Sequence, residues 1–338
     1  MKKVVIRDVR HALLADVAEP QPRENWVLVK VHAAPMCAEY KQFIAGGQHE
    51  YLGHEAAGEV VAIAQPGKLK VGDRVVAMPL SGCGTCTLCL RGDYIYCTQA
   101  PDYVACTGSP EGRGTMAQYI LKPDWLLPRI PEGMPYERAA LACCALGPSF
   151  GALEAIGASA YDTVLITGAG PVGLGALLNA RYRGARAIVV ESVAWRVERA
   201  RQMGAAAVLD PQSDTVLQAI GDLTDGRGVD CAIDCSGSVA AERLCIEATR
   251  RKGVVAFVGE CQQELGIRVS PDLIRKGLTL IGSWHYNLAD FPRIIQVIEQ
   301  SPLIELLISH VIPMSEIQSA FELSASQQTA KVILRPWE

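Results

Sequence analysis

Four cysteines lie within one short, glycine-rich stretch of the chain, CGTCTLCLRGDYIYC. Their spacing is C-x2-C-x2-C-x7-C, and the four residues are Cys83, Cys86, Cys89 and Cys97. Four thiolates at such spacing can enclose Zn²⁺ in a tetrahedron, which leaves no coordination position for water or substrate. The neighbouring Gly82, Gly84 and Gly92 allow the tight turns that four converging sulfurs require. The sequence therefore predicts a structural zinc lobe within residues 81–100, since four reduced thiols on a surface loop would oxidise readily.

A second group of metal-binding side chains is spread along the chain. Cys37 follows the apolar stretch VLVKVHAAP, and His54 and Glu55 lie in GHEAAGEVV. Cys144 lies in LACCALGPSFGALE. Two thiolates and one imidazole are three zinc ligands, so the fourth position stays open for water, an alcohol oxygen or Glu55. An open position is what catalysis at a metal requires, and these residues form a candidate catalytic site.

The middle of the chain contains a glycine-rich turn between a strand and a helix. In TVLITGAGPVGLGALLNARYRGARAIVVES, an apolar strand (163–167) precedes G-x-G-x-x-G, and a helix (171–183) and a second strand (187–191) follow. Such glycines permit a tight turn, close approach of a pyrophosphate and close packing of the helix on the strand. Amides at the helix N-terminus then face the phosphates. The residues expected to contact a dinucleotide are Gly168, Gly170, Pro171, Val172 and Gly173.

The end of the second strand indicates which dinucleotide binds. Glu191 stands about 20 residues after the glycines, where a carboxylate binds the ribose hydroxyls and repels a 2′-phosphate. Arg196 is a counter-signal, but it falls five residues later, in the next expected helix. We therefore include both residues in the cofactor site and expect NAD in preference to NADP.

More strand and helix patterns follow this unit. The expected strands are residues 206–209, 229–236, 253–259 and 278–284, and the expected helices are residues 194–203, 213–221 and 239–251. Together they predict a doubly wound parallel sheet of about six strands. The strands before it, interrupted by glycine and proline, predict an antiparallel, barrel-like domain. We expect an α/β chain with residues 1–148 and 286–338 in the first domain and residues 149–285 in the nucleotide-binding domain.

Composition restricts the class of protein. The 338 residues are 49% apolar, which exceeds one core and is consistent with two domains. A net charge of -4 without a basic face argues against a nucleic-acid or membrane partner and favours a small molecule. The N-terminus lacks the apolar run of a secretory signal, and no segment reaches about 18 uninterrupted apolar residues. We expect a cytoplasmic protein, in which the twelve cysteines are metal ligands or buried thiols rather than disulfides.

With these motifs in view, the chain resembles the zinc-dependent medium-chain dehydrogenase/reductase family, and in particular its alcohol and polyol dehydrogenases. The resemblance covers essentially the whole chain, through GHEAAGEV, VGDRV, the four-cysteine lobe, LACCALGPSFGAL, GAGPVG and KVIL. It implies a GroES-like catalytic domain, a Rossmann domain, two zinc ions per chain and a homodimer or homotetramer. It also implies that Cys37, His54 and Cys144 bind the catalytic zinc, because Cys144 fits the spacing to Phe150 better than Cys143 does.

The reaction that the resemblance implies is hydride transfer between NAD and an alcohol or ketone, with zinc as the Lewis acid. Glu55 matches an acid that approaches the metal when water leaves. Glu39 departs from the family, which usually has a serine or threonine hydroxyl there to relay the substrate proton. We expect Glu39 to accept that proton or to bind a second substrate hydroxyl. The alternative is that it pairs with a nearby cation or turns away from the metal.

The segment GSWHYN indicates the substrate class. It resembles the place where polyol dehydrogenases contact substrate, with His285 where arginine is common. Polar groups at Glu39, His285 and Tyr286 suit a polyol, cyclitol or sugar, because each buried hydroxyl needs a hydrogen-bond partner. Alternatively, His285 and Tyr286 lie in a subunit interface or beneath the cofactor, and the substrate is a simple aliphatic or aromatic alcohol. A non-catalytic, nucleotide-binding structural protein is a further alternative, for which an open metal site has no use.

Overall fold

The computed structural model describes residues 1–338, and these divide into two units. The first unit contains Met1–Cys144, Asn287–Glu299 and Ile308–Glu338. The second contains Ala145–Tyr286 and Gln300–Leu307. The sequence predicts that residues 1–148 and 286–338 form the first domain, but residues 145–148, Tyr286 and residues 300–307 belong to the second unit.

Residues 300–307 belong to the second unit because their apolar side chains are buried there. Ile304 is 3% exposed and Leu307 is 1% exposed. Arg199 donates a hydrogen bond to the carbonyl of Leu306 at 2.9 Å and so fixes the segment to the second unit. A short apolar stretch between two longer elements carries no local signal of the unit that buries it.

Fourteen β-strands form one hairpin and two larger sheets. In chain order they are β1 (Lys2–Asp8), β2 (His11–Asp16), β3 (Trp26–Pro35), β4 (Ala56–Ala62), β5 (Arg74–Ala77), β6 (Tyr119–Pro123), β7 (Thr163–Thr167), β8 (Arg186–Val190), β9 (Ala207–Leu209), β10 (Val229–Asp234), β11 (Thr249–Phe257), β12 (Thr279–Gly282), β13 (Ile308–Pro313) and β14 (Lys331–Arg335).

Eleven α-helices connect these strands. In chain order they are α1 (Tyr40–Ala45), α2 (Thr87–Leu90), α3 (Tyr103–Thr107), α4 (Tyr136–Ala139), α5 (Gly147–Ile156), α6 (Pro171–Tyr182), α7 (Ala194–Gln202), α8 (Val216–Asp222), α9 (Val239–Ala248), α10 (Phe291–Gln300) and α11 (Ile317–Ala325). No single helix is long and apolar enough to cross a membrane, although the segments 136–142 and 147–156 reach that length and apolarity together.

The first unit is built around strand β3. β1 and β2 form an antiparallel hairpin, and the larger sheet has the order β13-β14-β3-β4-β5, with β6 also paired to β3. All its pairs are antiparallel except β13 with β14. β3 pairs with β14, β4 and β6, and its apolar residues are buried on both faces. Phe43 of α1 stacks on Phe321 of α11 at 4.9 Å, which anchors the helix that follows Cys37.

The second unit contains the parallel sheet that the sequence predicted. Its order is β12-β11-β10-β7-β8-β9, so the order reverses between β7 and β10. In open α/β sheets, ligands bind beyond the carboxyl ends of the strands at such a reversal. The predicted helix 239–251 is wrong at its end. α9 stops at Ala248 because the backbone turns extended at Thr249, where β11 begins. The predicted architecture of an antiparallel domain and a doubly wound domain is otherwise confirmed.

Candidate functional site

Four potential metal ligands of the first unit converge on one point. The ligand atoms of Cys37, His54, Glu55 and Cys144 all lie within 4.8 Å of one another. Cys37 follows β3, and His54 and Glu55 directly precede β4. Because β3 and β4 are antiparallel, the end of one strand lies beside the start of the other. Two thiolates and one imidazole are donors that fit Zn²⁺ in a catalytic site.

Only one of the two adjacent cysteines joins this cluster. Cys144 Sγ lies 3.2 Å from His54 Nε2. Cys143 Sγ lies instead 3.6 Å from the Ala77 carbonyl, and its side chain is fully buried. Burial raises the pKa of Cys143 above its usual range, which keeps that thiol neutral. The structure therefore brings Cys144, and not Cys143, to the metal-binding atoms.

Glu39 contacts the metal-binding residues directly. Its Oε1 lies 3.0 Å from His54 Nδ1, and its Oε2 accepts a hydrogen bond from the Cys37 amide at 2.7 Å. The side chain is 8% exposed. A base or a substrate contact needs a carboxylate oxygen that faces the substrate, whereas both oxygens of Glu39 face Cys37 and His54. Sequence reasoning left the acidic partner of His54 unidentified, and the structure shows that it is Glu39.

The protonation of this cluster is coupled to metal binding. Burial lowers the pKa of His54, but hydrogen bonds to Cys37 and Glu39 outweigh it and raise the pKa to about 11. A hydrogen bond from Cys144 holds the pKa of Cys37 well below its usual range, and the same bond raises the pKa of Cys144. The Cys37 thiolate is thus stabilised, whereas the Cys144 sulfur keeps its proton. A metal ion that binds here must displace protons, so its affinity falls as pH falls.

Glu55 is fully buried behind the ligands and is paired with Lys331. Its Oε1 accepts a hydrogen bond from Lys331 Nζ, and its Oε2 accepts one from the Cys144 amide at 3.1 Å. Lys331 also donates to the Met36 carbonyl at 3.1 Å. Burial raises the pKa of Glu55 to about 7, and Lys331 opposes that shift. Sequence analysis missed Lys331, although a lysine at the head of the apolar strand KVIL was a signal.

The four cysteines of the lobe form a second cluster in the first unit. The sulfurs of Cys83, Cys86, Cys89 and Cys97 lie within 4.8 Å of one another. Amide groups point at two of them: the Cys86 amide donates to Cys83 Sγ at 3.2 Å, and the Cys83 amide donates to Cys97 Sγ at 3.3 Å. Hydrogen bonds from the Thr85 hydroxyl and from amides lower the pKa of Cys83 to about 6. A four-thiolate set without an open position fits a structural zinc.

Glycine is required at two places in this lobe. A Cβ on Gly82 would lie 2.7 Å from Cys89 Sγ. Gly92 has a φ of +89°, and a Cβ there would lie 2.2 Å from Asn287 Oδ1. Asn287 in turn donates hydrogen bonds to the Arg91 carbonyl at 2.7 Å and to Asp93 Oδ1 at 2.8 Å. The turn at Gly92 therefore lets Asn287 hold the lobe in place.

The glycine turn of the second unit has the geometry of a dinucleotide site. Gly168 follows β7 with a φ of +81°, and α6 begins at Pro171. A Cβ on Gly173 would lie 1.8 Å from the Gly168 carbonyl oxygen, so only glycine allows this close packing. Around Gly170 the nearest atoms to an added Cβ are 3.8 Å away, which leaves room for a phosphate.

Glu191 and Arg196 both lie next to this turn. Glu191 Oε2 accepts a hydrogen bond from the Ala169 amide at 2.8 Å, and Oε1 accepts bonds from the Ser192 and Val193 amides. Arg196 belongs to α7, and its Nη1 lies 4.0 Å from Glu191 Oε2. The backbone thus fixes the carboxylate at the end of β8, and the arginine lies beside it rather than remote from it.

His285 lies in the second unit and is packed inside it. Its side chain is 6% exposed and stacks on Tyr286 at 4.8 Å. A Cβ on Gly147 would lie within 2.9 Å of both rings, and a Cβ on Gly151 would collide with the His285 carbonyl. The two glycines of α5 therefore make room for the GSWHYN segment. The sequence left open whether His285 and Tyr286 contact the substrate, lie in a subunit interface or lie beneath the cofactor. The burial of His285 favours a packing role over a substrate contact.

Comparisons with known proteins agree with these features. The family described as "Alcohol dehydrogenase GroES-like domain" matches residues 23–132, and the family described as "Zinc-binding dehydrogenase" matches residues 171–300. The chain is 32% identical to the uncharacterized zinc-type alcohol dehydrogenase-like protein YphC of Escherichia coli, over 95% of this chain and 94% of that protein.

Two further proteins are similar over nearly their whole length. A sorbitol dehydrogenase of Halalkalibacterium halodurans is 28% identical, over 96% of each chain. The solved structure of the alcohol dehydrogenase TADH from Thermus sp. ATN1 superposes with a TM-score of 0.90 at 26% identity, over 99% of each chain. The protein therefore belongs to the zinc-dependent medium-chain dehydrogenase/reductase family and is an oxidoreductase that acts on CH–OH groups.

Proposed function

We propose that this protein transfers hydride between NAD and a secondary alcohol or ketone of a polyol, cyclitol or sugar. The observation that carries the proposal is the cluster of Cys37, His54 and Cys144, which offers three zinc-type donors, while the fourth member, Glu55, is paired with Lys331. His54 is 34% exposed at its side chain, so the cluster is accessible from solvent. A sorbitol dehydrogenase among the relatives supports a polyhydroxylated substrate.

Two zinc ions and NAD complete this proposal. Cys37, His54 and Cys144 would hold the catalytic zinc, which when bound serves as a Lewis acid toward the alcohol or carbonyl oxygen. The four lobe cysteines would hold the structural zinc. The turn at Gly168, Gly170 and Gly173, with Glu191, would hold NAD, which accepts the hydride.

The chain's own residues would position these reactants. The Glu39 carboxylate fixes the His54 ring by accepting a hydrogen bond from Nδ1. This would leave Nε2 to bind the metal ion. Lys331 holds Glu55 behind the ligands, and this favours a role for Glu55 in ligand exchange rather than as a permanent ligand. His285 would support the packing of the second unit, while a direct substrate contact by His285 stays a prediction.

Replacing Glu39 with glutamine separates a positioning role from a base role. Glutamine has one amide oxygen for two donors, His54 Nδ1–H and the Cys37 amide, so one of the two contacts is lost. We expect zinc affinity and turnover to fall together by about 10- to 100-fold. Competition with a chelator and steady-state kinetics measure both.

The matched control for this variant is Glu132→Gln, an exposed acid of the same unit, which should change neither quantity. If Glu39 were instead the proton acceptor, Glu39→Gln would lower kcat by about 10²–10⁴-fold with unchanged zinc affinity and would remove the acidic limb of the pH profile.

The proposed reaction is tested by the absorbance of reduced nicotinamide after NAD or NADP is added with a panel of alcohols. Polyols, cyclitols and sugars with NAD should give turnover, and simple aliphatic and aromatic alcohols should give at least about tenfold lower kcat/KM. Turnover confined to simple alcohols would show that the substrate is a simple aliphatic or aromatic alcohol rather than a polyol, cyclitol or sugar. No turnover by the zinc-loaded protein with any alcohol or ketone would favour a structural, nucleotide-binding role.

We also propose a homo-oligomer joined through the second unit. Strand β12 is at the edge of the parallel sheet, and an edge strand offers free backbone groups for pairing. Large apolar side chains near it are exposed: Val269 at 59%, Ile274 at 70% and Trp284 at 45%. A second copy of this edge would cover them.

A further inference from the structure

We propose that Arg113 binds an anionic group, a phosphate or a carboxylate, on the polyhydroxylated substrate. This inference rests on the proposed function, because it names a subclass of the polyol substrate.

The segment that carries Arg113 is bonded to the residues just before the metal ligand His54. The Thr115 amide donates to the Gly53 carbonyl at 3.2 Å, and the Met116 amide donates to the Leu52 carbonyl at 3.0 Å. A Cβ on Gly114 would lie 2.6 Å from the Leu52 carbonyl oxygen, so the two backbones are in close contact. Arg113 is therefore attached to the same local structure that places His54.

Two aromatic rings hold the Arg113 guanidinium. Its central carbon lies 5.4 Å from the ring centroid of Tyr51 and 4.9 Å from that of Tyr103. The Tyr103 hydroxyl donates to the Glu111 carbonyl at 2.8 Å, which fixes that ring. Cation–π contacts engage the charge of an arginine but none of its five N–H donors. The guanidinium is thus oriented in advance while its hydrogen-bonding capacity is unused.

The carboxylates around Arg113 are already paired with other cations. Glu50 is paired with Arg7 and lies 3.5 Å from Lys3 Nζ. Glu111 accepts a hydrogen bond from Lys3 at 2.9 Å. Arg113 is exposed to solvent and has neither an ion pair nor a hydrogen bond at its guanidinium. A positive charge therefore remains available at this place.

An oriented, unpaired guanidinium is suited to a phosphate or carboxylate. Its planar fork can donate two parallel hydrogen bonds to two oxygens of such a group. A neutral hydroxyl offers a single oxygen and no charge, so it gains less from the same side chain. Tyr51 is 36% exposed, precedes the metal ligand His54 by three residues, and contacts the Arg113 guanidinium through its ring. We infer that the anionic end of the substrate binds Arg113 while its hydroxyl end reaches the cluster.

The test compares sorbitol, sorbitol 6-phosphate and gluconate as substrates of the wild-type holoenzyme, the Arg113→Gln variant and the control Arg91→Gln. Arg91 is also an exposed arginine of the first unit. We expect wild type to prefer an anionic compound, and Arg113→Gln to lower its kcat/KM by about 10- to 100-fold while sorbitol changes less than about twofold. The preferred compound shows whether phosphate or carboxylate is the ligand.

Calorimetric binding of the same anionic compounds is the second readout, and it does not depend on turnover. Loss of binding in Arg113→Gln, and not in Arg91→Gln, supports the inference. Equal use of neutral and anionic compounds by wild type, or an equal loss for both in Arg113→Gln, overturns the inference and leaves the proposed polyol oxidation standing. If no alcohol is turned over, the proposed function fails, and unchanged binding in Arg113→Gln would overturn the anion site as well.

Discussion

Replacing Cys144 with alanine is expected to remove one zinc ion per chain and to lower kcat by about a thousandfold or more, which corresponds to roughly 4 kcal/mol of transition-state stabilisation. The same replacement at the adjacent Cys143 is expected to leave zinc content and turnover nearly unchanged. The reason is the direction of the two sulfurs: Cys144 Sγ lies 3.2 Å from His54 Nε2, whereas Cys143 Sγ lies against the Ala77 carbonyl.

This pair of variants is informative because the chemical change is identical and the positions are neighbours in the chain. Cys143 is fully buried, so Cys143→Ala should cost about 1 kcal/mol of stability through a small cavity. Zinc content by atomic absorption, kcat and the thermal midpoint of both variants are the measurements. Loss of a zinc ion in Cys143→Ala with retention in Cys144→Ala would show that the ligands are assigned wrongly.

The parts of the fold that sequence analysis predicted are those with local signals. The apolar run before Gly168, the glycine spacing and the acid at Glu191 all lie within one strand-helix-strand unit, and the structure has this unit at the expected residues. The two cysteine-containing groups were identified in the same way, because zinc ligands are restricted to a few residue types. Both groups converge in the structure.

The parts that could not be predicted depend on contacts between distant residues. Lys331 meets Glu55 across 276 positions of the chain, and this contact exists only because β14 pairs with β3. The orientation of Glu39 is a similar case. Its residue type suggested a base, but the direction of its carboxylate depends on how the chain turns between β3 and α1 and on where β4 places His54.

The second large effect is expected on stepwise removal of zinc, because the two clusters differ in the number of zinc-type ligands and in what they support. The Cys37, His54 and Cys144 cluster has three zinc-type ligands, and Cys37 and His54 are partly exposed. The lobe has four sulfurs, so a zinc ion there would be held by one more ligand, although only Cys89 is buried. A chelator should therefore remove the first zinc more readily, and more readily still at lower pH, because protons compete for Cys144 and His54.

Removal of the second zinc should unfold the lobe. Its short elements, α2 and the turn Tyr94–Tyr96, bury few side chains of their own, with Tyr94 packed edge-on to Trp125 at 5.9 Å as the main aromatic contact. Structural zinc in small domains contributes about 10–16 kcal/mol of binding free energy, which is larger than the stability of most domains. Loss of near-ultraviolet circular dichroism and a lower thermal midpoint should accompany this step.

The measurement that tests the central claim most directly follows zinc per chain, NAD reduction with a polyol and circular dichroism together while zinc is withdrawn and then restored. The predicted result is that activity disappears with the first zinc while the fold persists, that added Zn²⁺ restores activity, and that the fold is lost only with the second zinc. Activity that persists after the first zinc has left, or that is lost only when the protein unfolds, would contradict a catalytic zinc at Cys37, His54 and Cys144.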